Sequence, residues 1–237
     1  MKVWNKLLNW IYPPTCPLCG EVTGGQIGQV CDRCRPMIAY PEQPVCLKCG
    51  CEIADMEQEL CEDCTRHVKS YVQGFPAMKY QYPLDESLAR FKYHNQKEYA
   101  EFYAGQIVKR HGQALMSLSL DAVIPIPIHK RKMAKRGYNQ AELLADALGT
   151  LLDIPVERDF LMRVVNTEPQ KSLNPKQREE NLKKAFQCTE KSVSYKRVLL
   201  VDDIYTTGAT IEACTKKLHA SGIPDIYYAS VAIGTGR

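Results

Sequence analysis

Eight cysteines arranged as two copies of one spacing constrain this chain more than any other feature. The first copy reads Cys16-x2-Cys19-x11-Cys31-x2-Cys34 and the second Cys46-x2-Cys49-x11-Cys61-x2-Cys64. Each copy opens on a Cys-x-x-Cys-Gly knuckle, Cys16 to Gly20 and Cys46 to Gly50, whose glycine admits the left-handed turn that aims backbone amides at thiolates. Four soft ligands per copy suit one tetrahedral zinc ion, and four thiolates leave no open position for chemistry, so both zincs are read as structural. A disulfide framework would need an oxidising compartment. The apolar stretch from Val3 to Tyr12 is broken by Asn5, Lys6 and Asn9 and stopped by Pro13 and Pro14, so no export signal is expected. The thiols are then expected to stay reduced in the cytoplasm. Iron–sulfur ligation generally uses less regular spacing. The duplication favours sequential pairing of ligands over an interleaved one. About 35 residues per metal cannot bury a real core, so zinc must supply most of the folding free energy of this region. Cys51 is not needed by either set and reads as a spare thiol, while Cys188 and Cys214 read as core or helix residues.

Nine of the eleven cysteines fall between Cys16 and Cys64, which divides the chain into a zinc-ribbon region at 14–68 and a globular region at 71–237. With 45% apolar residues overall, the second region has enough to fill a core. No apolar run approaches the roughly 18 residues of a spanning helix, so no membrane insertion is expected. Charge is uneven: residues 1–70 carry a net −2 and the remainder +6, with Lys130, Arg131, Lys132, Lys135 and Arg136 crowded together and no acid among them. Such a cluster is either a solvated loop or an anion site, and charge alone does not choose.

A second motif chooses. Val198 to Val201 is a continuous apolar run of the kind buried on both faces of a parallel sheet, and Asp202 and Asp203 follow at its carboxyl end. Ligands of open α/β sheets bind at that edge, where paired acids accept hydrogen bonds from vicinal hydroxyls. Thr206, Thr207, Gly208, Ala209 and Thr210 come next, and Ile211 to Ala220 has the pattern of an amphipathic helix ending near Gly222. Small residues and threonines at a strand-to-helix turn let amides and hydroxyls converge on one phosphate. An ordinary connection with a capping threonine would account for Thr210 but not for the acid pair, the other threonines and the glycine together. Upstream, Ala122 to Ile128 begins as a buried strand that Pro125 and Pro127 stop, so the basic cluster stands at the same edge as Asp202. Asn139-x-x-Glu142 fits a capping box opening a helix that carries Leu143, Leu144, Leu148 and Leu151.

The segment from Val198 to Thr210 closely resembles the phosphoribosyl pyrophosphate (PRPP) signature of type I phosphoribosyltransferases. Ile124 to Gln140 resembles the strand and pyrophosphate-side loop of one branch, the ComF-like competence proteins, and Arg163, Thr167, Gln170, Ser172, Leu173, Arg178, Asn181 and Phe186 agree with that branch. The resemblance implies an α/β, parallel-sheet phosphoribosyltransferase fold behind an N-terminal double zinc ribbon. It implies that Asp202 and Asp203 are the catalytic acids that hold the ribose hydroxyls, and that Thr206 to Thr210 wrap the 5′-phosphate. Lys132 and Arg136 would face pyrophosphate, with Mg²⁺ held mainly by PRPP oxygens and water. The polar stretch from Arg163 to Arg178, punctuated by Pro169 and Pro175, is read as a mobile cover that carries Arg163, Gln170 and Arg178. The family is associated with natural transformation, so a partner helicase and incoming single-stranded DNA are its implied company. Weak, salt-dependent binding of single-stranded DNA also fits the basic surplus and the surrounding tyrosines.

The acceptor is the blank. Among the aromatics from Phe75 to His111, the spacing of Phe91, Tyr99 and Phe102 favours core packing over stacking on a base. Tyr205 departs from the small or aliphatic residue usual in the signature, and is read as a possible stacking partner for a ligand. A nucleobase or amido phosphoribosyltransferase of metabolism, or a non-catalytic module that senses PRPP while binding DNA or a helicase, stand as alternatives.

Overall fold

The computed structural model describes residues 13–24, 28–165, 181–182, 184–189 and 194–234. Four strands form one parallel sheet in the order β1 (Gly74–Lys79), β6 (Asp225–Ile233), β5 (Arg197–Tyr205), β2 (Ala122–Pro125). Pro76 and Pro125 lie in β1 and β2, the two edge strands, where a missing N–H does least harm to the ladder. Side chains of β5 alternate as a strand requires: Leu199 and Val201 enter one core, Val198 and Leu200 the other. β5 also outruns β2. The β2 pairing stops at Pro125 opposite Val201, whereas β6 accompanies β5 to Tyr205 opposite Ile233. The acid pair therefore sits inside the strand, on the stretch that has lost its neighbour on one side.

One layer over the sheet contains α2 (Leu84–Tyr93), α3 (Tyr99–Ser117) and α5 (Gln140–Leu152). Leu84, Ser87, Leu88 and Phe91 make the buried stripe of α2, with Asp85 and Glu86 in its first turn and Arg90 and Lys92 in its last, as the helix dipole favours. Phe91, Tyr99 and Phe102 are core residues, as their spacing suggested, and Tyr103 is buried with them. Asn139 caps α5 by accepting from the Ala141 amide at 3.1 Å. Its amide nitrogen donates to Glu142 at 3.2 Å and to the Ile126 carbonyl at 3.1 Å, so the cap also fastens α5 to the end of β2. Leu151 is 52% exposed, and Leu152 takes the core place expected of it. The opposite layer holds α6 (Ala209–Ala220) and a small antiparallel pair, β3 (Leu161–Arg163) with β4 (Phe186–Cys188).

The ribbons are not appendages. Cys16, Leu18, Val30 and Cys34 of the first belong to the core under α2 and α3, while Cys46, Cys49, Cys51 and Cys64 of the second join the core on the other face with Tyr71 and Tyr228. A short helix, α1 (Glu62–Arg66), closes the second ribbon. The two copies flank the sheet, one for each hydrophobic core. No helix among the described residues is long and apolar enough to cross a membrane.

Candidate functional site

The two cysteine sets assemble sequentially. Cys16, Cys19, Cys31 and Cys34 bring their four Sγ atoms within 4.8 Å of one another, and so do Cys46, Cys49, Cys61 and Cys64. The Cys19 and Cys31 sulfurs are 3.9 Å apart and those of Cys49 and Cys61 3.7 Å. A tetrahedron with Zn–S near 2.3 Å has an edge of about 3.8 Å, so both sets have the dimensions of a zinc site. The chain carries two four-cysteine zinc-binding sites. Cys51 is buried beside the second set without belonging to it.

At the carboxyl edge of the sheet, Asp203 is 9% exposed and forms an ion pair with Lys92 at 2.7 Å. Asp202 accepts the amide of Asp203 at 2.8 Å. Burial, and then the charge of Asp203, push the Asp202 carboxyl well above the usual aspartate range. Gly208 follows in the left-handed conformation at φ 71°, and a side chain there would collide with the ring of Tyr205. Thr206 and Thr207 are exposed in front of it, and α6 starts at Ala209, so Thr210 lies in the first turn. The Thr207 hydroxyl accepts from the Ala209 amide at 3.4 Å.

The basic cluster folds as α4 (Lys130–Arg136), capped by His129 and ended by Gly137 at φ 80°. Helical spacing separates its charges: Lys132 and Arg136, four apart, are half-buried, whereas Lys130, Arg131 and Lys135 are exposed. Arg136 stacks on Tyr93 at 5.0 Å and donates to Gln140 Oε1 at 2.8 Å. Burial lowers the Lys132 pKa, and the nearby Arg163, Arg136 and Lys92 charges lower it further. Arg163 lies on β3, packs over the Phe186 ring at 5.2 Å, and senses Asp202. Lys92, Lys132, Arg136 and Arg163 thus come from three elements, α2, α4 and β3, to one place, beside two carboxylates of which one holds its proton unusually well. An excess of positive charge near two carboxylates and a loop of exposed threonines suits a polyanion with hydroxyls.

Lys92 was missed by the sequence reading, and Tyr93 stood there only as one aromatic among several between Phe75 and His111. Both stand at the end of an amphipathic helix, and only tertiary folding carries that end to Asp203. Arg163, grouped with a mobile cover, stands on a strand; Thr167, Gln170, Ser172, Leu173 and Arg178 lie outside the described residues. Tyr205 is a correction. It is 4% exposed, stacks on Tyr228 of β6 at 4.8 Å with an 8° interplanar angle and meets the Tyr71 ring edge-on, so its ring is spent on packing between these two tyrosines and does not face solvent.

A double zinc ribbon family model matches residues 7–65. Competence protein F of Haemophilus influenzae is 37% identical over 149 residues, 61% of this chain and 65% of that protein. The DNA utilization protein YhgH of Escherichia coli K12 is 28% identical over 60% of this chain and 64% of its own length. Competence protein ComFC of Bacillus subtilis is 28% identical over 59% and 55%. Less than two thirds of each relative's length is covered. Among solved structures, a purine phosphoribosyltransferase of Pyrococcus horikoshii aligns over 56% of this chain and 73% of its own, with 17% identity and a TM-score of 0.36. The resemblance to ComF-like proteins read from the motifs holds: a double zinc ribbon precedes a parallel-sheet α/β domain, and the sequence relatives are competence and DNA-utilization proteins.

Proposed function

We propose that this chain is a ComF-like, phosphoribosyltransferase-type protein that binds PRPP with Mg²⁺ and acts on or beside single-stranded DNA entering during natural transformation. The observation that carries the reading is the meeting of Asp202 and Asp203 with Lys92, Lys132, Arg136 and Arg163 at the carboxyl edge of the sheet. In this reading Asp203 exchanges its pairing with Lys92 for a ribose hydroxyl, which frees the ammonium for the pyrophosphate. Lys132 and Arg136 neutralise the leaving group, and Thr206 to Thr210 take the 5′-phosphate.

The donor set also fits Mg²⁺: two carboxylates on a strand that has lost a neighbour match the one or two protein ligands that Mg²⁺ accepts beside phosphate oxygens and water. Asp202 and Asp203 would hold it there, where it would screen charge on the departing pyrophosphate. The proposed partners are single-stranded DNA, bound weakly through phosphate contacts, and a helicase of the uptake apparatus. The net-acidic ribbons are the better face for a protein, and α4 for the nucleic acid.

A panel of nucleobases, amines and single-stranded oligonucleotides, each with PRPP and Mg²⁺, tests the reading by pyrophosphate release. Release that depends on DNA supports an enzyme of uptake. Release with a free base moves the protein to metabolism, and PRPP binding without release makes it a sensor. No PRPP affinity under any condition ends the proposal.

A further inference from the structure

The two zinc sites stand behind different walls of the candidate site. The first ribbon meets the helical layer: the Ser87 hydroxyl donates to the Pro17 carbonyl, Arg90 to that of Leu18, and the Tyr99 hydroxyl to that of Cys16 at 3.4 Å. The second ribbon meets the phosphate loop, by two routes. Tyr205, the residue before Thr206, stacks on Tyr228, whose hydroxyl donates to the carbonyl of the zinc ligand Cys49 at 2.7 Å. The Tyr205 hydroxyl shares a hydrogen bond of 2.9 Å with that of Tyr71. Separately, Lys69 pairs at 2.7 Å with Asp63, which lies between the ligands Cys61 and Cys64, and donates to the Thr207 carbonyl at 3.4 Å. The neighbouring Ser70 clamps Glu212 in the first turn of α6 through its amide at 2.8 Å and its hydroxyl at 2.6 Å.

The Gly208 turn leaves little slack in this arrangement. Its α-carbon sits against the Tyr205 ring so closely that even a methyl group would not fit, so a displaced ring displaces the turn. We propose that Tyr205 and Lys69 are positioning residues through which the second zinc site, and not the first, fixes the conformation of the phosphate loop. The inference rests on reading that loop as the seat of the PRPP 5′-phosphate, but the geometry it predicts exists without ligand.

The experiment follows amide hydrogen exchange in the full zinc-loaded chain, segment by segment, without PRPP. Lys69→Met and Tyr71→Phe should each speed exchange across Thr206 to Ala213 by about fivefold, the loss of one hydrogen bond. Exchange in Leu84 to Tyr93 should be unchanged, and Lys69→Arg should restore the wild-type rate. Cys61→Ser should loosen the loop, and Cys31→Ser should loosen Leu84 to Tyr93 instead, with zinc content measured for each. Unaltered loop exchange in Lys69→Met and Tyr71→Phe proteins that retain two zinc ions overturns the proposal. So does a Cys31→Ser protein whose loop loosens as much as that of Cys61→Ser. If the cysteine variants do not fold, the first pair decides alone. Calorimetry with PRPP and Mg²⁺ runs beside it: a wild type without PRPP affinity removes the functional reading, while the exchange rates still report whether the ribbon holds the loop.

Discussion

Asp202 and Asp203 are neighbours in sequence with opposite electrostatic surroundings. Asp203 has Lys92 at 2.7 Å, whereas Asp202 has burial and its neighbour's charge against it, and its pKa is raised to about 7. A folded-state pKa above the unfolded one means that the folded state binds the proton more tightly. The associated stability is fully present below about pH 4 and is lost as pH rises through 7. Asp202→Asn, neutral throughout, should therefore stabilise the unliganded protein on the order of 1–3 kcal/mol at pH 8 and progressively less toward pH 4. Thermal melts of both proteins across that range check the sign; a gap that widens at low pH contradicts it. The same substitution combined with Asp203→Asn should weaken PRPP binding well over tenfold, since each charged hydrogen bond lost is worth roughly 1.5–3 kcal/mol. Unchanged affinity by calorimetry would reject the acids as ligands. The acid pair was legible because strand pattern and residue type coincide; Lys92 was not, because an ion pair between residues 92 and 203 leaves no local trace.

At the scale of elements, α4 shows how a charge cluster becomes a selective one. Its spacing turns Lys132 and Arg136 inward and leaves Lys130, Arg131 and Lys135 in solvent. Lys132→Ala with Arg136→Ala should weaken PRPP and single-stranded DNA together if both use the inner face. Neutralising Lys130, Arg131 and Lys135 should spare PRPP and lower the salt dependence of DNA binding, since each phosphate contact removed takes about 0.7 from the slope. Anisotropy across a salt series, with calorimetry for PRPP, separates the two faces. The loop between β5 and α6 has a different constraint. Gly208→Ala meets both a positive φ and the Tyr205 ring, so it should destabilise the protein by more than about 1 kcal/mol and disturb the phosphate loop. The glycine's turn was readable from the sequence. Its collision partner was not, because the packing of Tyr205 against Tyr71 and Tyr228 joins residues far apart in the chain.

In the whole molecule, the duplicated ribbon was visible in the spacing of eight cysteines, while the duplication only favoured sequential pairing and the clustering of the sulfurs decides it. What spacing could not convey is that each ribbon completes a different core of the sheet, which makes the chain-order division at 14–68 and 71–237 a poor guide to independence. Cys16, Leu18 and Cys34 are buried with Phe91 and Tyr103, while Cys46, Cys49 and Cys64 are buried with Tyr71 and Tyr228. Cutting the chain after residue 70 would uncover both sets at once. Zinc should then stabilise the entire protein and not a detachable module. Purified protein is expected to hold two zinc ions per chain, and a strong chelator should lower the melting temperature of the sheet domain along with the ribbons, in one transition. The measurement is calorimetric unfolding with and without chelator, beside elemental analysis. A zinc-free protein whose sheet melts unchanged would mean that the ribbons contribute nothing to the two cores they enter, and one ion per chain would rule out two equivalent sites.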